Sequence, residues 1–311
     1  SRAKELPGVH AVFTLDDLGA PYPDKPMVTA YGSPLLKQPI CQYLLAKDEV
    51  CFVGQTVALV IAESRHTAED AVSQIIVDYE PLPAVADCRT ALDPESPIAH
   101  LGAENNLVGN FYNKYGNIEE AFKQADHVLN VDFLEHRGGC HAMECRNILV
   151  NYDASLDETT IHLTTQAPFL IRRLMARFLE EDESRIRIVC PDVGGGFGPK
   201  NGPHPEEFVL AIVAKKLKRP VKWIEDRREH FTATWIAGDQ QWSMEIACDN
   251  EGKILGARGR VIHEMGAFVP YGLLLPATSL FPLPGPYSVP AMDVSLDAVF
   301  TNKICTAPVR G

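Results

Sequence analysis

The chain has 311 residues, a length that at about 100–200 residues per domain predicts two domains, and its hydrophobic fraction of 46% suits packed cores. The 22 Gly and 23 Pro residues fall short of the share found in low-complexity chains, so the sequence predicts a folded protein. Its 41 acidic and 29 basic residues give a formal charge of −12, which argues against nucleic acid as a partner, and no apolar run is long enough to predict a membrane span.

The eight cysteines are widely spaced and include no C-x-x-C pair. This spacing is typical of buried, reduced thiols rather than of a disulfide framework or an iron–sulfur cluster, so we expect a cytoplasmic protein. Residues 1–7 contain no signal pattern and no initiating Met, and we expect that a preceding segment has been removed.

The first part of the chain alternates short strands with turns. Residues 9–13 predict a strand, and residues 50–62 form two β-rich runs on either side of Gly54. Ser64 is placed to cap a helix over residues 65–73, and residues 75–79 predict a further strand. This pattern predicts an α+β domain over residues 1–85, followed by a Pro-rich linker over residues 86–105.

The second predicted domain, residues 106–311, repeats a strand, loop and helix order. Strands are predicted over residues 159–165, 185–190 and 221–224. Pro168 and Pro205 are each placed in the first turn of a helix, where proline costs no hydrogen bond. The second of these strands runs directly into the glycine loop, residues 194–198.

Three consecutive glycines in this loop permit positive φ angles, so successive backbone N–H groups can converge on an anionic oxygen. A tight strand-to-helix turn is the simpler interpretation of the same glycines. The known phosphate-binding fingerprints fail because Pro199 stands where G-x-G-x-x-G requires glycine and precedes the lysine that G-x-x-x-x-G-K-[ST] requires.

With its flanks, the loop reads D-V-G-G-G-F-G-P-K over residues 192–200 and resembles the signature loop of the xanthine oxidase family of molybdenum hydroxylases. Further segments resemble the family in the same order: residues 6–14, 53–58, 77–85, 143–146, 165–166, 219–223 and 225–227. The resemblance implies an α+β fold in which an α/β-hammerhead domain precedes the first part of the molybdopterin-binding domain. Cys145 departs from the family by replacing the proline of its M-E-P-R segment.

The resemblance also implies site residues. Gln166 falls where the family's glutamine hydrogen-bonds to a terminal ligand of molybdenum, although it could simply cap the next helix. Gly195, Gly196 and Gly198 belong to the cofactor loop, in which the backbone approaches the metal ligands. The ring of Phe197 would line the substrate channel or lie in a core, and Arg310 would lie near the metal or face solvent. No residue of this chain is predicted to ligate a metal.

The family activity is the oxidative hydroxylation of an aldehyde or N-heterocycle with water as the oxygen source. The resemblance implies a molybdenum–molybdopterin cofactor, in its cytosine dinucleotide form, on this subunit. It further implies a medium subunit with FAD and a small subunit with [2Fe–2S] clusters as partners. Family large subunits continue beyond the position of Gly311, and that missing half carries the catalytic glutamate base. Gly311 itself replaces the cysteine of copper-containing carbon monoxide dehydrogenases, which disfavours a molybdenum–copper site.

Three other hypotheses remain open. The chain could be a non-catalytic binding or assembly module, or a split subunit that needs a second chain to complete its site. It could also be an unrelated phosphate-binding enzyme that uses the glycine loop. A zinc site is disfavoured because its candidate ligands lack the usual spacing: His136, Cys140, His141 and Cys145.

Overall fold

The computed structural model describes residues 2–310, in which three sheets and six α-helices form the fold. The strands are β1 (Val9–Phe13), β2 (Leu59–Ala62), β3 (Leu107–Tyr115), β4 (His127–Glu135), β5 (Asn147–Asp153), β6 (Glu158–Leu163), β7 (Ile186–Val189), β8 (Val221–Ile224), β9 (Gln240–Cys248), β10 (Ile254–Gly266) and β11 (Met292–Phe300). The helices are α1 (Arg65–Val72), α2 (Ile118–Lys123), α3 (Pro168–Leu179), α4 (Pro205–Leu217), α5 (Arg227–Ala233) and α6 (Leu274–Leu280). Within residues 2–310 no helix has the length and apolar character needed to cross a bilayer.

The N-terminal unit pairs β1 with β2 in an antiparallel ribbon beside α1. The predicted cap of α1 is confirmed, since the hydroxyl of Ser64 accepts a hydrogen bond from the Thr67 N–H at 3.2 Å. Two predicted strands are wrong. Of residues 50–62, only the last four form a strand, and residues 75–79 form none. Ile76 is 87% exposed, and a β-rich segment without a neighbouring strand to pair with gains too little to become one.

A four-stranded sheet in the order β7-β6-β5-β8 lies at the centre of the second unit. Strands β6 and β7 are parallel, and the other pairs are antiparallel. Helix α3 connects the two parallel strands, and α4 packs against β5 and β8. Seven consecutive residues of α4, 208–214, are buried, because the helix also packs against Phe13 and Leu18 of the N-terminal unit in one shared core. The predicted starts of both helices at proline are confirmed.

A five-stranded sheet in the order β3-β11-β10-β9-β4 forms the remaining layer. Strands β10 and β11 are parallel, and the other pairs are antiparallel. Its core is formed by apolar side chains of β10 and β11 together with Val85 and Leu273. Strands β3 and β4 are the two edges, and all nine residues of β4 are exposed. The sequence analysis predicted none of these five strands.

Candidate active site

The site lies where the parallel strands β6 and β7 end. Since both strands deliver their following loops to the same edge of the sheet, Gln166 after β6 meets the glycine loop after β7. The backbone N–H of Gln166 donates to the carbonyl of Lys200 at 2.9 Å, and the hydroxyl of Thr165 donates to the same carbonyl at 3.1 Å. The sheet thereby fixes Gln166 against the loop.

The side chain of Gln166 has a defined orientation. Its Oε1 accepts the Gly198 N–H at 2.8 Å, and because a backbone N–H can only donate, the carbonyl end of the amide must face the loop. Within residues 2–310, no hydrogen bond engages the amide NH2 group, and the side chain is exposed. Gln166 therefore presents a fixed donor away from the loop.

The glycines of the loop are required by close contacts. A Cβ at position 196 would lie 2.5 Å from the side-chain atoms of Gln166, and one at position 198 would lie 1.6 Å from the Pro308 carbonyl. Gly198 also has a φ of +116°, which a residue with a Cβ rarely adopts. The loop is thus packed tightly between Gln166 and residues 307–310 and is more than a strand-to-helix turn.

Phe197 and Arg310 meet on the outer side of this loop. The backbone N–H of Arg310 donates to the Phe197 carbonyl at 2.9 Å, and both residues have positive φ angles, +57° for Phe197 and +49° for Arg310. The ring of Phe197 is 46% exposed, so it does not belong to a core, and the Arg310 side chain is exposed as well. Gly311, the residue at the copper-ligand position, lies outside the described residues.

The structure brings all predicted site residues together at one loop, and of these six only Gly198 is buried: Gln166, Gly195, Gly196, Phe197, Gly198 and Arg310. Three of the six have exposed side chains, which we call the rim: Gln166, Phe197 and Arg310. Each rim side chain has a polar or aromatic group that is free to contact a ligand.

Glu144 and Lys200 hold the loop from below, a role that the sequence analysis missed. The Glu144 carboxylate accepts the Gly194 N–H at 2.7 Å and the Lys200 ammonium at 3.1 Å. Partial burial opposes ionisation, yet the hydrogen bonds from Gly194 and Lys200 lower the pKa of Glu144, so its carboxylate is charged at neutral pH. Both residues belong to family-like segments, and that was the signal that could have identified them.

A largely buried ionic cluster, here called the Arg146 cluster, lies beneath these residues. Arg146 donates to Glu225 at 2.6 Å and to Glu206 at 3.0 Å. Glu225 also accepts from His230 at 2.8 Å and from Thr234 at 2.7 Å. Although desolvation opposes it, the His230 and Arg146 contacts hold the pKa of Glu225 well below its usual range. The Arg146 cluster consists of Arg146, Glu206, Glu225, His230 and Thr234.

The four candidate zinc ligands of the sequence analysis do not converge. Among residues 2–310, no three of them bring ligand atoms within 4.8 Å of one another. Cys145 instead lies beside Glu225 and His230, and the carboxylate oxygens of Glu225 are already occupied by Arg146 and its neighbours. These contacts give no support for a metal ion at Cys145.

Two family models match the chain in order. Residues 1–83 match the a/b hammerhead domain of aldehyde oxidase and xanthine dehydrogenase, and residues 100–311 match the molybdopterin cofactor-binding domain. The large subunit of nicotine 6-hydroxylase from Paenarthrobacter nicotinovorans is 35% identical over the whole chain. The carbon monoxide dehydrogenase large chain of Afipia carboxidovorans is 34% identical over 97% of the chain. The chain spans 38% of the length of each of these two relatives.

Solved structures agree with these matches. Quinoline 2-oxidoreductase from Pseudomonas putida 86 superposes on 99% of this chain with a TM-score of 0.92 and 34% identity, over 39% of its own length. Aldehyde oxidoreductase from Desulfovibrio gigas superposes on all of it with the same TM-score but only 23% identity, over 34% of its own length, and so shows the fold alone. The chain therefore belongs to the xanthine oxidase family of molybdenum hydroxylases and joins the family's hammerhead domain to its molybdopterin cofactor-binding domain.

Proposed function

We propose that this chain supplies one side of the active site of an enzyme that hydroxylates an aldehyde or an N-heterocycle with oxygen from water. The observation that carries the proposal is the Gln166 amide, whose carbonyl is held by Gly198 while its NH2 group is free. A donor held in advance in this way stabilises negative charge on an oxygen without any reorganisation. Gln166 thus suits a terminal oxygen ligand of molybdenum.

The residues around Gln166 fit a molybdopterin cofactor. Contacts with Gln166 and Pro308 leave no room for side chains at positions 196 and 198, so a bound group can approach the bare backbone of the loop. Glu144 and Lys200 hold that backbone in place. Bound molybdopterin supplies the metal and the two-electron redox chemistry. The metal is held by the cofactor, and this chain holds the cofactor through backbone groups and the Gln166 amide.

Phe197 and Arg310 complete this side of the site. The half-exposed Phe197 ring offers an aromatic wall on which a flat substrate can stack. Arg310, tied to the loop through its backbone, places a permanent positive charge at the same rim, where it favours an anionic group. Glu144 is committed to Gly194 and Lys200, so we assign the general base to the part of the large subunit beyond this chain.

An N-heterocycle is the substrate class that we favour. Nicotine and quinoline, which appear in the names of two relatives that are 34–35% identical to this chain, are N-heterocycles, and the exposed ring of Phe197 suits their flat shape. Carbon monoxide fits less well. Gly311 provides no thiolate for a soft copper ion.

We further propose the cytosine dinucleotide form of the cofactor, and partner subunits that carry FAD and [2Fe–2S] clusters. Support comes from the relatives, which are named as large subunits or large chains. Eight free cysteines without iron–sulfur spacing are consistent with electron carriers on other chains and with a cytoplasmic location.

The test is metal and pterin analysis of the complete complex, purified with its natural partners, together with turnover of N-heterocycles and aldehydes. We expect molybdenum and pterin in equal amounts and hydroxylated product that takes its oxygen from labelled water. A complex that is folded and never contains molybdenum would instead identify the chain as a binding or assembly module. Nucleotide binding without molybdenum would favour the phosphate-binding alternative.

A further inference from the structure

A second group of potential ligands lies away from the glycine loop, between the segments that the two family models match. Glu49 and Cys51 belong to the loop before β2, and His100 lies at the start of the cofactor-binding region. One ligand atom from each lies within 4.8 Å of the other two. Cys51 and His100 are buried, whereas the Glu49 side chain remains 21% exposed and offers a path to solvent.

The position of the His100 ring leaves one nitrogen facing these ligands. Its Nε2 contacts the carbonyl oxygen of Ala267, which can only accept, so Nε2 carries a hydrogen. In the neutral ring, Nδ1 then presents a lone pair. That lone pair points at Glu49 Oε1, 3.1 Å away, and at Cys51 Sγ, 3.4 Å away. A lone pair facing a carboxylate oxygen at this distance is repulsive unless a proton or a cation lies between them.

These ligand atoms are spaced nearly as they would be around one shared cation, with His100 Nδ1 and Glu49 Oε1 slightly closer, at 3.1 Å. Zinc bonds of about 2.0–2.3 Å to oxygen, nitrogen and sulfur in a tetrahedral site place neighbouring ligand atoms about 3.3–3.6 Å apart. A ligating histidine usually donates its other N–H to a carbonyl or carboxylate, as His100 does to Ala267. The other oxygen of Glu49 accepts the Leu101 N–H at 2.9 Å, which orients the carboxylate.

Charge points in the same direction. Zn²⁺ with the Glu49 carboxylate, a Cys51 thiolate and a neutral His100 is a site of zero net charge, which suits a position packed between Phe268 and Phe300. The Glu225 carboxylate in the Arg146 cluster needs no such metal ion, because Arg146 already balances its charge and it accepts hydrogen bonds from His230 and Thr234.

We propose that Glu49, Cys51 and His100 bind one zinc ion, with water as the fourth ligand. The ion would connect the loop before β2 to the first residues of the cofactor-binding region. Its role would be structural, because Cys51 belongs to a small core with Cys305 and Ala307, just before the residues that pack on the glycine loop. Zinc would thereby fix the back of the segment that carries Arg310.

The test is elemental analysis of the complete protein after dialysis against dilute zinc, with molybdenum measured in the same sample. We expect about one zinc per chain, and at least about tenfold less after Cys51→Ser or His100→Gln. The glutamine keeps a donor for Ala267 and removes Nδ1. Cys88→Ser changes a buried cysteine outside the group and should leave the zinc content unchanged.

A cobalt titration of the unmodified protein keeps the test decisive where a variant does not fold. Cobalt bound to Cys51 should give a thiolate charge-transfer band in the near ultraviolet, and zinc should abolish it. Wild-type protein that is folded but has neither zinc nor this band would overturn the proposal and leave a metal-free hydrogen-bonded group of Glu49, Cys51 and His100. Equal zinc in wild type and both variants would do the same, whatever the molybdenum content.

Discussion

The Arg146 cluster and the rim of the candidate site lie close together but differ in burial and in the pairing of their polar groups. In the Arg146 cluster, the charges of Arg146 and Glu225 are buried and paired with each other. At the rim, the side chains of Gln166, Phe197 and Arg310 are exposed, and within the described part of the chain the Gln166 NH2 group has no hydrogen-bond partner. The difference indicates that the Arg146 cluster keeps the site rigid, while the rim contacts the ligand. Substitutions in the two regions should therefore separate stability from activity.

The largest effect on stability is expected for Arg146→Met. Removing the guanidinium leaves the buried Glu225 and the partly buried Glu206 without their cationic partner, which should lower the free energy of unfolding by about 3–5 kcal/mol. Urea unfolding measures the change. The matched control is Arg89→Met, since Arg89 pairs with Asp87 at the exposed surface and its loss should matter little. Equal changes in the free energy of unfolding for the two variants would refute a structural role for the Arg146 cluster.

The largest effect on activity is expected for Gln166→Glu. The carboxylate still accepts the Gly198 N–H but has no NH2 group to donate, so turnover should fall more than about tenfold at full molybdenum occupancy. The melting temperature should change little. Gln166→Ala should lower turnover similarly, and Gln124→Ala, at an exposed position that ends α2, should have no effect. Normal turnover in the glutamate variant would reduce Gln166 to a residue that merely supports the loop.

Gly196→Val tests the loop position that packs against Gln166 of the rim. Its Cβ would press on Gln166 at 2.5 Å and strain the loop by about 1–3 kcal/mol, so molybdenum content should fall far more than the melting temperature. Gly32→Val provides the control because a Cβ there meets nothing within 4 Å. A destabilised protein with normal molybdenum content and specific activity would contradict the assignment of this loop to the cofactor.

A narrower effect, on the pH dependence of stability, concerns Glu207, in the first turn of α4 beside the Arg146 cluster. Burial raises the pKa of Glu207 to about 8, despite the nearby Arg146. The folded chain therefore keeps a proton that the unfolded chain releases above pH of about 4.3, so this residue reduces stability as pH rises toward 8. Glu207→Gln should remove that slope and raise the free energy of unfolding at pH 8. Urea unfolding at pH 6 and pH 8 measures both, and an unchanged slope would contradict the raised pKa.

Local patterns predicted three of the four strands of the central sheet and missed β5. Helix α3 and strand β8 lie where the sequence places them, because Pro168 and the apolar periodicity are signals within one element. The site residues were predicted from their resemblance to a family, and their convergence follows from the parallel pairing of β6 and β7.

Long-range pairing could not be predicted in this way. In the five-stranded sheet, Tyr115 of β3 pairs with Met292 of β11, and no local signal specifies a partner so distant in the chain. The Glu144–Lys200 pair joins residues 56 positions apart for the same reason. The wrong strand over residues 75–79 shows the converse, since its local pattern was suitable but no partner strand lies beside it.

The strands of the five-stranded sheet should differ in how readily they open, because β4 is exposed at one edge. Its residues are all exposed and only β9 pairs with it, whereas β10 and β11 each lie between two strands above a continuous core. Amide hydrogens along residues 127–135 should therefore exchange with deuterium first, those of β9 next, and those of β10 and β11 only on global unfolding. Any molecule that covers β4 should reveal itself by slowing exchange in that strand first.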